Sequence, residues 1–255
     1  MKRKTMTFCA TVVTLLTCYS AFSNSEDTVN VLVFSKTEGY RHASIEPGIA
    51  AIKQLGQQYG FQVEATEDAE VFEESKLADV DVIIFLNTTG DILNTAQQRQ
   101  FEQFMQAGGG FVGIHAAADT EYDWPWYGRL VGAYFNGHPN DPNVREATLH
   151  VINDQHLATD SLPSDWTRSD EWYNYKTINE ANNVLIEIDE STYEGGTNGD
   201  NHPIVWYKEY DGGKAFYTGL GHTVESYSDS LFQDHLLGGI QYAAGAVFST
   251  SATAQ

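Results

Sequence analysis

The sequence predicts an α/β fold with a mainly parallel central sheet that is flanked by helices and extended by antiparallel strands in its second half. Apolar runs in the first half are continuous rather than alternating, which is typical of parallel strands buried on both faces. These runs alternate with helical segments, and that order indicates a parallel sheet with helices on both faces. In the second half, strands follow one another with few helices between them.

Four strands and three helices are predicted in the first half. The strands lie at 29–35, 61–65, 81–86 and 110–115, and the helices lie at 45–59, 72–77 and 95–106. Ser44 precedes the first helix and Gly60 follows it, so we expect Ser44 to cap the helix and Gly60 to end it.

The second half contains four further predicted strands and a closing helix. The strands lie at 147–152, 183–188, 204–210 and 214–218, and the helix lies at 231–244. The turn sequence at 210–213 indicates a hairpin between the last two strands. We expect one domain over residues 28–247 and a flexible tail over residues 248–255.

The first 23 residues are typical of a signal peptide. Basic residues at positions 2–4 precede an apolar stretch at 6–16, and small residues at Ala21 and Ser23 allow cleavage near Ser23/Asn24. The mature protein is therefore expected to be periplasmic or secreted. A lipoprotein attached through Cys18 is the alternative.

Cysteine content and charge exclude several classes of function. Both cysteines, Cys9 and Cys18, lie in the signal segment, so the mature chain is expected to lack disulfides and thiol chemistry. The formal net charge is −21, and the signal segment holds three of the 14 basic residues and none of the 35 acidic ones. Such a surface repels nucleic acids and anionic lipids, so neither is expected as a partner, whereas a homo-oligomer remains open.

Polar residues gather where the predicted parallel strands end, which is where ligands bind in such sheets. The segment Gly113-Ile114-His115-Ala116-Ala117 has the shape of a nucleophile elbow, in which a strand presents a Ser or Cys on a tight turn. A histidine stands in the place of the nucleophile. Burying an imidazole at a strand end is costly without partners, which favours a functional role for His115.

The eight histidines divide into three groups. His222 follows the last strand through a glycine-rich turn and, like His115, is favoured for function. Functional and structural roles are equally open for His42, His138 and His202, the last two of which precede prolines. Surface or structural roles are favoured for His150, His156 and His235.

The acidic and aromatic residues add candidate sites. Among Asp119, Asp123, Asp170, Glu171 and Glu225, Glu171 stands out because neighbouring aromatics could raise its pKa and suit it to acid or base catalysis. Half-exposed aromatics can stack on sugar faces, although many are core residues. The residues predicted to bind substrate are Arg41, Thr89, Asp91, Asp119, Tyr122, Trp124, Trp126, His138 and His202.

Several long stretches of the sequence resemble the ThuA-like (trehalose utilisation) family. They include "GYRHASI", "FLNTTGDILN", "GGGFVGIHAAADTEYDWPWYGRLVGAYFNGHP", "DEWYNY", "HPIVWYKEY" and "FYTGLGHTVESY", and they extend with their flanks over residues 31–244. The resemblance implies a flavodoxin-like fold related to class I glutamine amidotransferases.

The resemblance also implies roles for individual residues. His115 takes the place of the amidotransferase cysteine and His222 that of the triad histidine, whereas Glu225 stands three residues after His222 instead of two. Glutaminase activity is not expected without the thiol. The catalytic set is predicted to be His42, His115, Glu171 and His222.

Two chemistries suit such a set, proton transfer and a Zn-like divalent metal with an open position. The metal ligands would come from His115, His138 and His222, and no phosphate-binding motif indicates a nucleotide or flavin. The family association with sugar catabolism implies a lyase or hydrolase acting on a sugar or a 3-keto-glycoside. The alternatives are a non-catalytic periplasmic carbohydrate-binding protein and a hydrolase of ordinary glycosides, which requires two spaced carboxylates.

Overall fold

A computed structural model describes residues 28–250 of the chain, so the predicted signal peptide and the last five residues lie outside the described part. Eleven strands and five helices make up this part. The strands are β1 (Asn30–Phe34), β2 (Gln62–Thr66), β3 (Val82–Leu86), β4 (Gly110–Ile114), β5 (Tyr134–Phe135), β6 (Val144–Val151), β7 (Asp165–Glu171), β8 (Tyr175–Lys176), β9 (Asn183–Ile188), β10 (Pro203–Tyr210) and β11 (Gly213–Thr218). The helices are α1 (Ile45–Tyr59), α2 (Glu74–Leu77), α3 (Thr95–Gln106), α4 (Pro125–Val131) and α5 (Ser230–Ala244). Across residues 28–250, no helix is long and apolar enough to cross a lipid bilayer.

Nine strands form one mixed sheet in the order β2-β1-β3-β4-β11-β10-β9-β6-β7. The five strands from β2 to β11 are parallel neighbours, and every pairing from β11 to β7 is antiparallel. The predicted fold class is therefore confirmed, including the antiparallel extension in the second half. The short strands β5 and β8 form a separate antiparallel pair.

Helices cover both faces of the parallel half, as the continuous apolar strands predict. Gly110 on β4 lies against Ala243 of α5, whereas the next residue, Phe111, packs against Phe101 of α3. Successive strand residues point to opposite faces, so α5 and α3 lie on opposite sides of the sheet. All five residues of β3 and all five of β4 are buried.

Some local features differ from the expectations. β7 was not predicted, because two of the three residues that alternate along its buried face, Trp166, Arg168 and Asp170, are charged. The strand therefore lacks the apolar pattern by which buried strands are predicted. Ser44 precedes α1 as expected, but its hydroxyl donates to the carbonyl of Gly221 instead of capping the helix. At the other end of the domain, Phe248 packs on Phe61, so the predicted tail is attached at its first residue.

The antiparallel half curls back over the edge of the parallel half. β7 is the outermost strand and is four strand spacings from β11, which would separate the two by about 19 Å in a flat sheet. Nevertheless, the carboxylate of Glu171 at the end of β7 lies 3.1 Å from the ring of His222, just beyond β11. The β9–β10 pairing shifts register around Val205, and such irregularities bend strands. The four successive antiparallel pairings also return β7 to the direction of β11, so both strands end at the same edge.

The core of the parallel half is aromatic, and Phe85 on β3 lies at its centre. Its ring contacts those of Phe34, Phe101, Phe111 and Tyr127 at centroid distances of 5.2–5.7 Å. We expect Phe85→Ala to lower the free energy of unfolding by about 3–5 kcal/mol because it removes a buried ring and leaves a cavity. Urea denaturation followed by circular dichroism measures this change.

Ile152→Ala is the control, since Ile152 is 51% exposed and its truncation should cost within about 0.5 kcal/mol. A similar loss for both variants would contradict the assignment of Phe85 to the core.

Candidate functional site

Four titratable side chains from distant parts of the chain meet at the carboxyl edge of the sheet. They are the residues predicted as the catalytic set: His42 after β1, His115 at the end of β4, Glu171 at the end of β7 and His222 after β11. One ligand atom from each lies within 4.8 Å of the other three. We call this group the histidine cluster.

His115 occupies a strained turn between β4 and the short helical turn over residues 115–119. Its φ is +48°, in the left-handed region that residues other than glycine rarely adopt. The carbonyl of His115 accepts a hydrogen bond from the hydroxyl of Tyr217 at 2.8 Å. Its ring Nδ1 donates to the carbonyl of Gly219 at 2.9 Å. This bond orients the ring and turns Nε2 into the cluster.

The three imidazoles form a nearly equilateral triangle. All three centroid distances are 5.1 Å, and the ring planes lie at 71–87° to one another. Burial, reinforced by the positive charge that His115 and His222 would carry, lowers the pKa of His42 to about 2. His42 is therefore neutral at physiological pH, which is the state required of a metal ligand.

Glu171 is the carboxylate shared by the cluster. Its Oε2 lies 3.3 Å from Nε2 of His115 and 3.1 Å from Nδ1 of His222. Burial alone would raise the pKa of Glu171, but hydrogen bonds and charge from the two histidines outweigh it and hold that pKa well below its usual range. Glu171 is thus ionised, although it is buried.

The other oxygen of Glu171 faces a loop from the antiparallel half. Asn143 donates its amide to Oε1 at 2.7 Å, and Nε2 of His138 lies 3.6 Å from the same oxygen. Tyr173 packs its ring on that of His115 at a centroid distance of 4.1 Å. These contacts enclose the cluster from the side opposite the parallel strands.

The loops that carry the histidines are tied together by Asn87 at the end of β3. Its side-chain amide donates to the hydroxyl of Ser44 at 3.1 Å and to the carbonyl of Gly221 at 3.4 Å. Asn87 has a φ of +51°, and Gly221 has a φ of +108°, which glycine adopts without strain. Two of the six described residues other than glycine with positive φ, Asn87 and His115, therefore lie at the cluster.

A cleft of about 600 Å³ opens directly above the cluster. This volume suits a small-molecule ligand such as a mono- or disaccharide. The cleft is lined by aromatic, histidine, acidic and amide residues, and its lining contains no lysine or arginine among residues 28–250. The lining residues are Tyr40, His42, Asp119, Phe135, His138, Asn140, Asp141, Pro142, Asn143, Glu171, Tyr173 and His222.

Comparison with known proteins gives the family. The ThuA family model, described as trehalose utilisation, matches residues 30–243. The chain belongs to the ThuA family. No curated protein matches it significantly.

Solved structures show the same fold. A ThuA-like protein from Bacteroides uniformis is 24% identical, with a TM-score of 0.71 and coverage of 84% of this chain and 91% of that one. A ThuA-like protein from Parabacteroides merdae is 21% identical, with a TM-score of 0.70 and coverage of 89% and 94%. A β-galactosidase from Bacillus circulans is 12% identical, with a TM-score of 0.57, and the likeness covers 86% of this chain and 31% of that one.

In this ThuA-family chain, some residues predicted to bind substrate lie at the cleft or beside it. Asp119 and His138 line the cleft. Tyr122 lies beside Asp119 and donates its hydroxyl to that carboxylate at 2.6 Å. Thr89 is buried beneath the rim and donates to the carbonyl of Tyr40, so it shapes the loop that carries His42.

Other residues predicted to bind substrate lie elsewhere. Arg41 pairs with two glutamates at the surface, and Asp91 is exposed away from the cleft. Trp124 is buried in the core, and Trp126 stacks on it and donates to Asp211 in the β10–β11 turn. Trp124 and Trp126 thus pack on each other away from the cleft, whereas Tyr122 of the same segment is exposed beside it.

The structure places His202 and His138 in different surroundings. His202 is fully buried, and its ring nitrogens contact the carboxylate of Glu190 and the carbonyl of Tyr173, both at 2.8 Å. His138, which was predicted as a possible metal ligand, bonds the carbonyl of Pro139 through Nδ1 and lies beside the cluster, whose fourth member is His42.

The site also contains residues that sequence reasoning missed or set aside. Asn143 had no sequence signal, because a lone asparagine in a loop is ordinary. Tyr173 was noted only as an aromatic neighbour of Glu171. Glu225 is exposed, so the carboxylate in contact with His222 comes from Glu171 rather than from the position that an amidotransferase triad implies.

The buried contacts of His202 predict a structural role. His202→Ala is expected to lower the free energy of unfolding by about 2–4 kcal/mol, because it removes a buried ring and leaves Glu190 and the Tyr173 carbonyl without their partner. His150→Ala is a matched control, since His150 is half-exposed and its pairing with Asp165 should contribute at most about 1 kcal/mol. Chemical denaturation measures the stability of both variants. Equal losses of stability would contradict the structural role of His202 and leave substrate binding as its function.

Proposed function

We propose that this chain is a metal-dependent enzyme that acts on an uncharged carbohydrate, and that the histidine cluster holds a Zn-like divalent cation. The observation that carries the proposal is the buried triangle of imidazoles sharing one carboxylate at the floor of a sugar-sized cleft. A buried carboxylate is costly without a positive partner, and three imidazoles that share its small space complete a donor set suited to one cation.

The residues present fit such a cation. Three imidazole nitrogens and a carboxylate oxygen are the donors that zinc prefers. Nδ1 of His42 is buried and has no hydrogen-bond partner within residues 28–250. Buried polar atoms usually have a partner, so this nitrogen is available to bind a ligand. A Zn-like cation held by these four residues would polarise a substrate oxygen or a water molecule.

Two carboxylates outside the cluster line the cleft, Asp119 and the exposed Asp141, and we assign proton transfer to the more buried Asp119. Burial raises the pKa of Asp119, against the hydrogen bond from Tyr122 that lowers it. One carboxylate oxygen accepts from Tyr122, and the other has no hydrogen-bond partner among the described residues, so it can accept a substrate proton. A carboxyl with a raised pKa is suited to general base and acid catalysis near neutral pH.

A 3-keto-glycoside suits this arrangement, because its ketone makes the proton on C2 acidic. Asp119 would take that proton while the C1–O bond breaks and a C1=C2 double bond forms. The leaving oxygen would then receive the proton from Asp119. Addition of water across the double bond would complete a net hydrolysis, so lyase and hydrolase activities are two stages of one route.

The charges around the cleft favour a neutral sugar over a phosphorylated or acidic one. Anionic sugars are usually bound by arginine or lysine, and the cleft lining contains neither in the described chain. Basic residues around the cleft are engaged elsewhere. Arg41 pairs with Glu46 and Glu67, Lys176 lies over the ring of Tyr122, and Arg145 donates to the carbonyls of Asn140 and Pro142.

Export is part of the proposal and rests on residues 1–23, which lie outside the described residues. A periplasmic or secreted enzyme would meet sugars before their phosphorylation in the cell. The strongly acidic composition agrees with a freely soluble protein.

Metal binding can be measured directly. Chelator-treated wild-type protein is expected to bind one zinc ion per chain in isothermal titration calorimetry, and His115→Ala should weaken this binding at least about a hundredfold because a ligand is lost. His150→Ala is the control, since that histidine lies at the surface and should leave the affinity unchanged. A wild type without zinc binding, or a His115→Ala variant with wild-type affinity, would contradict the metal site.

Activity separates the enzyme from the binding-protein alternative. Zinc-loaded protein is expected to convert a 3-keto-disaccharide. It is not expected to convert the 6-phosphate ester of the same disaccharide. Asp119→Asn should lower kcat by about 10²–10⁴-fold with unchanged zinc binding, whereas Asp91→Asn, at an exposed carboxylate, should have no effect. Sugar binding without turnover in wild type and both variants would support a carbohydrate-binding protein instead.

A further inference from the structure

Asp170 is fully buried beside the histidine cluster, on the strand residue just before Glu171. Adjacent strand residues point to opposite faces, so Glu171 faces the cluster and Asp170 faces the loop that follows β11. The Asp170 carboxylate accepts hydrogen bonds from five donors. They are the backbone amides of Glu171, Gly221 and His222, the hydroxyl of Ser226 and the guanidinium of Arg168.

Two of these bonds connect residues of the cluster. Oδ1 accepts from the amides of Glu171 and His222, both at 3.0 Å, and Oδ2 accepts from the amide of Gly221 at 2.9 Å. One carboxylate therefore joins the end of β7 to the loop after β11. The same loop supplies the Gly219 carbonyl that orients His115.

The sheet itself does not provide this connection. β7 is an edge strand whose sheet partner is β6, and three strands lie between it and β11. The curl of the antiparallel half brings Glu171 near His222, but a curled edge held only by β6 would leave their separation variable. Asp170 bonds backbone amides of both segments directly, and Arg168 on the same strand adds side-chain contacts with Ser226 and Asp229. Asp170 therefore constrains the distance between the side chains of Glu171 and His222.

The chemistry of the site requires a carboxylate. All five partners are donors, and a carboxylate offers acceptors to each of them, whereas an asparagine would turn an N–H₂ group toward a donor. Arg168 is held in place by the rings of Trp166 and Phe232, at 4.6 and 5.0 Å from its guanidinium carbon. Its second terminal nitrogen lies 3.6 Å from Asp229.

We propose that Asp170 is a positioning residue that holds Glu171 and His222 at the separation that a shared cation requires. The proposal rests on the metal site of the proposed function. Asp170 is not a ligand itself, so its loss should weaken metal binding without removing any donor atom. Residues that hold metal ligands in place by hydrogen bonds typically contribute about 10–100-fold to metal affinity.

The test compares Asp170→Asn with Glu121→Gln in the full chain. Glu121 is a matched control because its buried carboxylate also accepts two backbone amides, those of Ile92 and Leu93, together with the amide of Gln98. Both variants should lower the unfolding midpoint of the metal-free protein. Asp170→Asn should in addition weaken zinc binding by about 10–100-fold and change the visible absorption spectrum of the Co²⁺-substituted protein, whereas Glu121→Gln should change neither.

The outcomes separate the two proposals. Wild-type zinc affinity and an unchanged Co²⁺ spectrum in Asp170→Asn would overturn the positioning role and leave the metal site intact. A wild type that binds neither ion would overturn the metal site. If Asp170→Asn does not fold, Ser226→Ala removes one donor and keeps the three amide bonds. This variant should weaken zinc binding several-fold, and an unchanged affinity would assign Asp170 to folding alone.

Discussion

Three imidazoles and one carboxylate share a small volume that is mostly closed to water. Burial, together with the positive charge that His115 and His222 would carry, lowers the pKa of His42 to about 2. Two protonated rings 5.1 Å apart would repel each other by about 3 kcal/mol at an effective dielectric constant of about 20. The single negative charge of Glu171 cannot offset positive charge on all three rings at once.

This constraint explains why so much of the fold converges on the edge of the sheet. Each cluster residue comes from a different strand end, and each is restrained by a contact from another segment. His115 is oriented by the carbonyl of Gly219, and Glu171 is held by the amide of Asn143. The positive φ values of Asn87 and His115 are unfavourable on their own. They persist because the surrounding hydrogen bonds require those backbone directions.

The sequence predicted the parallel half and named the four cluster residues as a catalytic set, with the place of His222 taken from the family resemblance and with His138 instead of His42 among the possible metal ligands. Continuous apolar strands fix the direction of β1, β3 and β4, and the rule that ligands bind at their carboxyl ends places His42 and His115 together. The curl that brings in Glu171 could not be predicted, because β7 buries Arg168 and Asp170 and lacks an apolar pattern.

Several residues predicted to bind substrate lie away from the cleft for one reason. Trp124 and Trp126 have the composition of a sugar platform, and His202 has the setting of a ligand, but composition does not tell which way a side chain points. Trp124 points into the core, and both ring nitrogens of His202 are occupied by Glu190 and the Tyr173 carbonyl. Asn143 is the converse case, since only the fold brings this loop residue to Glu171.

The turn at His115 keeps the geometry of a nucleophile elbow but changes what it presents. In a triad, the histidine after the last strand accepts a proton from the elbow residue, and a carboxylate steadies that histidine. Here the Nδ1 atom of His222 lies 3.1 Å from Glu171 and 3.3 Å from Nε2 of His115, so both rings direct a nitrogen toward the same region. Proton transfer along a chain requires the groups to be arranged in sequence, whereas these groups converge on one point. With an imidazole rather than a thiol at this turn, His115, His222 and Glu171 form a convergent group of polar atoms instead of a linear relay.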